Sequence, residues 1–370
     1  MNRSLELPAV SGLSKFTLDT PALLVDLDVM ERNIATIASI CRANGIGWRP
    51  HIKGQKTVEI VRKELAAGAT GITCAKLGEA EVFAAAGIRN ILIANQVAGP
   101  EKMRRLVALA SNAEVIVAID DPAHVAQLAA AFRGTGRKVG VVVEVDIGMH
   151  RAGVAPGQAV VDLASRVAGE PDLAFRGVMG WESHAVTIAA PDEKARVVAE
   201  AIRLLTTSAE ECRKAGLAVD VVSCGGTGTL PYCAEQPGVT EIQAGGGIFS
   251  DNHYRQHYHI DFPCALTVLA TVTSRPTPMR IILDAGKKSM SSDAAMPSVV
   301  GLAEVRQTRL SAEHATIELE QASELPRIGD RLELTVGYSD TTVHLHDEIV
   351  AIRRGAVEAI WRVAARGRSK

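Results

Sequence analysis

The 370-residue sequence has few aromatic residues and no excess of charge of one sign. Phenylalanine, tryptophan and tyrosine make up 4% of the chain, and the formal net charge at pH 7 is −2. Nucleic-acid surfaces attract basic patches, and exposed bases stack on aromatic side chains, so the scarcity of both features argues against nucleic-acid binding. The balanced charge also argues against binding to an anionic membrane surface.

Long apolar runs and paired cysteines are missing as well. No stretch approaches the ~18 apolar residues that cross a bilayer, and residues 1–16 lack the apolar core of a secretory signal. The six cysteines are scattered without a Cys-x-x-Cys pair, which argues against a disulfide scaffold or a zinc ribbon. These absences predict a cytoplasmic globular protein with reduced thiols and one or two domains.

The first two thirds of the sequence alternate between short apolar runs and Ala-rich amphipathic stretches. Such runs are typical of strands buried on both faces, and the stretches are typical of helices. Asp121, which precedes Pro122, has the pattern of a helix N-cap. The strand-like runs are 23–27, 47–51, 71–74, 90–94, 114–119, 139–145, 175–180 and 219–223, and the helical stretches are 28–44, 56–67, 78–86, 99–110, 121–132, 156–167 and 192–215.

Eight strands that alternate with helices predict an α/β fold, a (β/α)8 TIM-type barrel over residues 20–258. A doubly wound open sheet is the competing fold, but it favours a glycine fingerprint after its first strand, and none follows Asp28. After about residue 260 the runs alternate and become rich in β-branched residues, with proline and glycine between them. Residues 1–19 and 259–370 are therefore predicted to form an all-β domain.

Polar residues collect at the ends of the predicted barrel strands, where barrels carry their reactive groups. Two glycine clusters, 225–229 and 243–247, lie near the end of the predicted barrel. Glycines make tight turns, but two clusters at this place favour a phosphate cradle, because backbone N–H groups approach an anion closely where side chains are absent. The polar strand-end residues are His51, Lys53, Asn95, Gln96, Asp146, His150, Arg151, Trp181, Glu182 and His184.

Lys53 acquires a function from the predicted cradle. A lysine at a strand end is usually solvated or in a salt bridge. Facing a phosphate cradle, however, it is placed to form an imine with the aldehyde of pyridoxal phosphate. Burial also lowers the proton affinity of an amine, which favours the imine.

The motifs RPHIK (49–53), EVDIGMHRAGV (144–154) and SCGGTGT (223–229), followed by a β domain, resemble the alanine-racemase-like, fold-type III pyridoxal phosphate enzymes. Within them the chain resembles the branch of D-threonine aldolase, 3-hydroxy-D-aspartate aldolase and D-serine dehydratase. Segments 20–34, 284–289 and 345–367 carry the same likeness, so the resemblance covers nearly the whole chain. It implies a homodimer, because in this family the β domain closes the active site across a dimer.

The resemblance also implies roles for individual residues. Lys53 would be the Schiff-base lysine, Arg151 would lie near the cofactor and tune its ring or hold the substrate, and His184 would act as a base. Arg151 in a salt bridge and His184 as an ordinary loop residue are the structural alternatives, and His51 is expected to pack below the cofactor. The phosphate would be held by Gly226, Thr227, Gly228, Gly246 and Gly247.

The branch typically binds a divalent metal through a C-terminal His-x-Cys or His-x-Asp pair. Here the aligned residues are Tyr338 and Asp340, and a phenol is a poor ligand for divalent metals. If 338–347 is an extended strand, His344 lies ~13 Å from Asp340, too far to share one ion. The expectation is therefore an oxygen-rich Mg or Mn site with Asp340, waters and a group from elsewhere in the chain, or no metal.

Four functions follow from the resemblance. The first is an aldolase that cleaves a D-3-hydroxyamino acid, of the D-threonine or D-3-hydroxyaspartate type, to glycine or a related amino acid and an aldehyde. The second is a dehydratase on the same scaffold, which a strong Lewis acid would assist. A racemase would need a second base opposite Lys53, and no tyrosine stands out for it. A non-catalytic pyridoxal phosphate carrier would need only the barrel.

Overall fold

The computed structural model describes residues 11–370, which form two compact units. The barrel unit comprises 34–247, 257–260 and 367–370, and the β unit comprises the described residues up to 33, 248–256 and 261–366. These boundaries differ from the expected ones, because 20–33 and 248–256 belong to the β unit. Residues 1–10, expected in the β domain and examined for a secretory signal, lie outside the described residues.

Eight parallel strands form the sheet of the barrel unit, in the order β2-β9-β8-β7-β6-β5-β4-β3. Its two ends are joined by backbone hydrogen bonds, from Thr73 N–H to Pro50 O at 2.9 Å and from Ile52 N–H to Thr73 O at 2.8 Å. The predicted TIM-type barrel is therefore confirmed. After β1 (Ala22–Asp26), the barrel strands are β2 (Gly47–Trp48), β3 (Ile72–Cys74), β4 (Asn90–Gln96), β5 (Glu114–Ile119), β6 (Val139–Glu144), β7 (Leu173–Met179), β8 (Val221–Cys224) and β9 (Glu241–Ile242).

The seven predicted helices are present, and a short helix at 230–234 was not predicted. The carboxylate of Asp121 accepts a hydrogen bond from Ala123 N–H at 2.7 Å, which confirms the predicted N-cap. The apolar strand residues are buried, and Leu92, Ile116, Val142 and Met179 belong to one core cluster. The helices are α1 (Leu27–Ala43), α2 (Val58–Ala66), α3 (Leu77–Ala85), α4 (Pro100–Leu109), α5 (Pro122–Phe132), α6 (Gln158–Ala168), α7 (Pro191–Lys214) and α8 (Leu230–Ala234).

One predicted barrel strand was wrong. The run 23–27 is β1, which pairs with strands of the β unit. The eighth barrel strand is instead β9, which pairs in parallel with β2 and β8. The pattern missed β9 because it is two residues long and begins with Glu241, a buried carboxylate that needs a distant arginine as its partner.

The β unit contains a nine-stranded sheet, as the alternating runs predicted. Its order is β13-β14-β11-β10-β1-β16-β17, and β15 pairs with β10 and β12. The pairings of this sheet are antiparallel except that of β1 with β16. Its further elements are α9 (Asn252–His257), β10 (Leu266–Thr277), β11 (Arg280–Leu283), β12 (Ser298–Val299), β13 (Val305–Leu310), β14 (Ala315–Leu319), β15 (Arg331–Thr335), α10 (Ser339–Val343), β16 (Glu348–Arg353) and β17 (Ala356–Arg362).

The segment around Asp340 was predicted as a strand and is a short helix, α10. Its first N–H group, from Ser339, donates to Asp251 Oδ2 at 2.7 Å, so a carboxylate remote in sequence caps the helix N-terminus. Asp340 and His344 therefore lie one helical turn apart rather than ~13 Å apart along a strand, since residues i and i+4 of a helix are neighbours. Nearby, His346 Nε2 lies 2.7 Å from Ser289 O.

Two expected absences can be examined in the described part of the chain. Between residues 11 and 370, no helix combines the length and the apolarity needed to cross a bilayer. The six cysteines are free thiols, and five of them are buried.

Candidate active site

The segment that leads to Lys53 is fixed to the barrel by buried polar side chains. Arg49 Nε donates to both oxygens of Glu241 at 2.9 Å, and its Nη1 donates to Asn90 Oδ1 at 2.7 Å. Trp48 Nε1 donates to Ala244 O at 2.7 Å. A buried ion pair with several hydrogen bonds holds one geometry, so the strand end before Lys53 is tied to β4 and β9.

Both glycine clusters adjoin this segment. His51 N–H donates to Gln243 O at 3.1 Å, and a Cβ on Gly245 would collide with His51 O. Gly247 N–H donates to Thr227 Oγ1 at 2.9 Å, which links the second cluster to the first. The two glycine clusters therefore lie close to the segment that leads to Lys53, although that segment is far from them in sequence. A phosphate cradle facing Lys53 requires this arrangement.

The indole of Trp181 lies at the centre of this neighbourhood. Lys53 Nζ is 5.7 Å from the centroid of the ring, and Arg151 Cζ is 5.5 Å from it. A Cβ on Gly226 would lie 3.3 Å from Trp181 Nε1. The structure thus brings together a lysine, an arginine and the first glycine cluster around one aromatic ring. Trp181 was noticed at a strand end but was not selected as a site residue.

The residues present fit pyridoxal phosphate. Trp181 Nε1 is buried and has no hydrogen-bond partner, so an unused donor lies beside the glycine loop. The glycines let backbone segments pack closely, because an added Cβ at Gly247 would collide with Thr227 Cγ2. Thr227 is 4% exposed and joins the two clusters, and Gly246 and Gly247 begin a short 3-10 helix, Gly246–Ile248. An anionic phosphate and a planar ring suit these donors and this indole.

His51 is held neutral. Burial, together with the positive charges of Lys53, Lys56 and Arg151, lowers the pKa of His51 well below its usual value. Its Nδ1 lies 3.4 Å from Lys53 N and accepts that N–H, which leaves the ring proton on Nε2. His51 is therefore a neutral donor at the start of the Lys53 turn.

The loop after β6 is organised by Asp146. One carboxylate oxygen accepts the N–H groups of Gly148 and His150 at 3.0 Å, and the other lies 2.8 Å from His150 Nδ1. These hydrogen bonds lower the pKa of Asp146 even though partial burial opposes them. Arg151 follows this turn with its side chain half exposed and Nη2 3.8 Å from Glu144 Oε1, so its ion pair with Glu144 is long.

His184 lies in a 3-10 turn after β7, Ser183–Ala185, and is exposed. A Cβ on Gly148 would lie 2.8 Å from His184 Cε1, so the imidazole contacts the loop after β6 at a glycine. His184 thus contacts the loop that carries Arg151, two positions along the chain from the buried Glu182.

Glu182 is a buried residue whose partners the sequence did not reveal. Its oxygens accept hydrogen bonds from Thr229 Oγ1 at 2.5 Å, from Cys233 Sγ at 3.3 Å and from Gly225 N–H at 3.3 Å. It therefore ties the His184 loop to the first glycine cluster. Burial is the largest cause that raises the pKa of Cys233 well above its usual value, so this thiol keeps its proton.

The surroundings of Asp340 do not fit a metal site. Asp340 Oδ2 accepts a hydrogen bond from Tyr338 Oη at 3.1 Å. Within residues 11–370, the group of three metal-type ligands that lie within 4.8 Å of one another is Glu182, Cys224 and Cys233, and it does not include Asp340. That group is already satisfied by its own hydrogen bonds. Asp340 therefore offers a metal one carboxylate rather than a set of ligands.

Comparisons with known proteins agree with this geometry. The family model described as the alanine racemase N-terminal domain matches residues 25–253, and a second model, of a domain named after serine dehydratase, matches 265–352. D-threonine aldolase of Arthrobacter sp is 36% identical over 98% of this chain and 97% of that protein. 3-Hydroxy-D-aspartate aldolase of Paracoccus denitrificans (strain Pd 1222) is 33% identical over 98% and 96%.

A solved structure extends the comparison to three dimensions. The crystal structure of D-threonine aldolase from Filomicrobium marinum superposes with a TM-score of 0.94 at 34% identity, covering 98% of this chain and 99% of that one. The family model covers more than half of the sequence, and both aldolases align over nearly its full length. The chain is therefore a member of the alanine racemase N-terminal domain family, in which the resemblance of its sequence motifs had placed it.

Proposed function

We propose that the protein is a pyridoxal phosphate-dependent carbon–carbon lyase, an aldolase that cleaves a D-3-hydroxyamino acid to a smaller amino acid and an aldehyde. The observation that carries the proposal is the neighbourhood formed by the Lys53 strand and both glycine clusters. The full-length likeness to D-threonine aldolase and 3-hydroxy-D-aspartate aldolase supports the choice of reaction.

The cofactor and the residues that bind it have different roles in the reaction. When bound, pyridoxal phosphate supplies a ring that accepts the electron pair of the broken bond. Lys53 is the amine that holds the cofactor at rest and that the substrate amine replaces. Gly226, Thr227, Gly228, Gly246 and Gly247 hold its phosphate, and Arg151 binds near its ring or holds the substrate carboxylate.

His184 acts as the base. Its imidazole lies against Gly148, beside the loop that carries Arg151. It takes the proton of the substrate β-hydroxyl, the Cα–Cβ bond breaks, and the former hydroxyl carbon leaves as the aldehyde. A proton then returns to Cα to complete glycine or its analogue. Correct placement of His184 matters because general-base catalysis requires hydrogen-bond reach.

A dehydratase that releases ammonia and a 2-oxo acid is the second candidate. It is favoured by the match of 265–352 to the domain named after serine dehydratase. In that reaction Lys53 removes the Cα proton and the β-hydroxyl departs, which a strong Lewis acid assists. The pairing of Tyr338 with Asp340 makes the aldolase the better proposal.

Finer features are also part of the proposal. The protein is a homodimer, as the family resemblance implies, and it acts in the cytoplasm. For the aldolase and the dehydratase alike, the binding partner is a small D-amino acid, not nucleic acid or a membrane.

Product identification tests the proposed reaction. Purified protein with pyridoxal phosphate is incubated with D-threonine, D-3-hydroxyaspartate, D-phenylserine and D-serine, each with and without chelator. We expect an aldehyde (glyoxylate in the case of D-3-hydroxyaspartate) and glycine from a 3-hydroxy substrate. Ammonia and a 2-oxo acid as the main products would replace the aldolase by the dehydratase.

A further inference from the structure

The residues that follow Lys53 in the chain hold the turn that carries it. Lys56 N–H donates to Ile52 O at 3.0 Å, and Thr57 Oγ1 donates to Gln55 O at 2.7 Å. Lys56 adopts a positive φ of 50°, a conformation that side-chain-bearing residues seldom take. A strained turn persists only where its surroundings hold it, so the contacts of Gln55 and Lys56 are expected to hold this turn.

Gln55 and Glu64 make one of these contacts, in the interior. Gln55 is 1% exposed and Glu64 is 0% exposed. Gln55 Nε2 donates to Glu64 Oε1 at 2.8 Å. The remaining oxygens, Gln55 Oε1 and Glu64 Oε2, are both buried and have no hydrogen-bond donor. Buried acceptors without a donor are rare and costly, and here two of them belong to one hydrogen-bonded pair.

A single proton removes both defects. An ionised carboxylate only accepts hydrogen bonds, whereas a carboxylic acid also donates one. We infer that Glu64 is a neutral carboxylic acid whose Oε2–H donates to Gln55 Oε1, forming a two-bond amide–acid pair that positions the Lys53 turn on α2. The pair forms by uptake of one proton from solvent, and no other group changes.

The electrostatics of the site agree with this geometry. Burial raises the pKa of Glu64 to about 8, and the hydrogen bond from Gln55 opposes that rise. Charged residues near it in sequence are Glu59, Arg62 and Lys63 on α2 and Lys56 on the turn. Lys56 forms an ion pair with Glu79 of α3 instead. At neutral pH the acid form of Glu64 is therefore the stable one.

The consequence for catalysis rests on the role proposed for Lys53. Gln55 lies two residues after Lys53, so loss of the pair frees the turn that presents the amine. Glu64 and Gln55 touch neither substrate nor reacting atoms and are positioning residues. A substitution that keeps both hydrogen bonds should leave the turn intact, and one that removes both should loosen it.

Glu64→Gln is the matched test, because a glutamine side chain donates where the acid donates and accepts where it accepts. Thermal unfolding of the full-length protein is measured from pH 5.5 to 9.5 for wild type, Glu64→Gln and Glu64→Leu. The folded-state pKa of Glu64 lies above its ordinary value of 4.5, so its contribution to stability is full below 4.5 and is lost as pH rises through about 8.

We expect Glu64→Gln to match the wild-type Tm near pH 5.5 and to hold its Tm better as pH rises to 9.5. Glu64→Leu should have a Tm several degrees below that of Glu64→Gln at every pH, because neither side chain titrates. A Glu64→Gln protein as unstable near pH 5.5 as Glu64→Leu, or parallel pH profiles for wild type and Glu64→Gln, would overturn the inference.

Infrared difference spectra provide a second readout that does not depend on Glu64→Leu folding. Wild type minus Glu64→Gln should show a carboxylic-acid C=O band at pH 6 that disappears by pH 9.5. A carboxylate band at pH 6 would overturn the inference.

The positioning role is tested separately, by measuring the affinity for pyridoxal phosphate. This affinity should fall roughly tenfold in Gln55→Leu and recover in Gln55→Glu, which restores two hydrogen bonds as an acid pair. Equal affinity in Gln55→Leu and wild type would remove the positioning role. Thermal unfolding and infrared spectra can be measured without the cofactor. They therefore test the protonation of Glu64 even if Lys53 does not hold the cofactor.

Discussion

The barrel unit and the β unit build their functional segments in opposite ways. In the barrel unit the backbone itself comes close, since side chains at Gly245 and Gly247 would collide with His51 and Thr227. In the β unit Asp340 lies on a five-residue helix that is held by a side chain, the Asp251 carboxylate. The barrel site therefore depends on where side chains are absent, and the Asp340 site depends on which side chains are present.

The first prediction removes the proposed base of the barrel unit. His184→Asn should lower kcat about 10²- to 10⁴-fold, the usual range for loss of a general base. The affinity for pyridoxal phosphate should stay within about twofold, because His184 is exposed and contacts Gly148 rather than the glycine clusters. His150→Asn, a change of the exposed histidine bonded to Asp146, is the matched control and should change kcat only a few-fold. Equal losses in both variants would contradict the assignment.

The second prediction adds a side chain where the barrel unit excludes one. Gly247→Ala places a Cβ against Thr227 Cγ2 and should weaken pyridoxal phosphate binding about 10- to 100-fold, as expected for overpacking of ~1–3 kcal/mol. Gly169→Ala is the control. Gly169 has an ordinary φ of −74°, and its added Cβ would meet backbone oxygens at 3.5 Å. Unchanged binding in Gly247→Ala would show that the cradle lies elsewhere.

The third prediction concerns the β unit and has the smallest effect. A chelator should change the wild-type rate by less than about twofold, because Asp340 pairs with Tyr338 and lies in no cluster of metal ligands among residues 11–370. Tyr338→His replaces the phenol with an imidazole and should make the rate depend on added Mn²⁺. Strong inhibition of the wild type by chelator would restore a metal site at Asp340.

What could be predicted from sequence follows the same division. Lys53, Arg151 and Thr227 were predicted to share one edge because each follows an apolar strand, and parallel strands deliver their carboxyl ends to one edge. The roles of Arg151 and Thr227 came from the family resemblance. The helix at Asp340 was missed because Thr341, Thr342 and Val343 favour a strand, whereas the Asp251 cap is remote in sequence.

Other residues were missed for a similar reason. Strand β9 is two residues long and begins with Glu241, whose burial makes sense only beside Arg49. The central position of Trp181 depends on two loops meeting across the barrel. Nothing in the spacing of Gln55 and Glu64 indicates a shared proton, since that inference requires the two buried oxygens without donors. The sequence predicted which strand ends meet, because the topology of the barrel determines those contacts. It did not predict contacts between side chains that are remote in sequence.

If Lys53 holds the cofactor, borohydride reduction of the loaded protein attaches the cofactor to this lysine, where peptide mass spectrometry detects it. Lys56, only three residues away and paired with Glu79, is the internal control. We expect a pyridoxyl group on Lys53 and none on Lys56, and we expect Lys53→Ala to lose the visible absorbance of the lysine-bound cofactor. A pyridoxyl group on Lys56 or on any other lysine, with absorbance retained in Lys53→Ala, would contradict it.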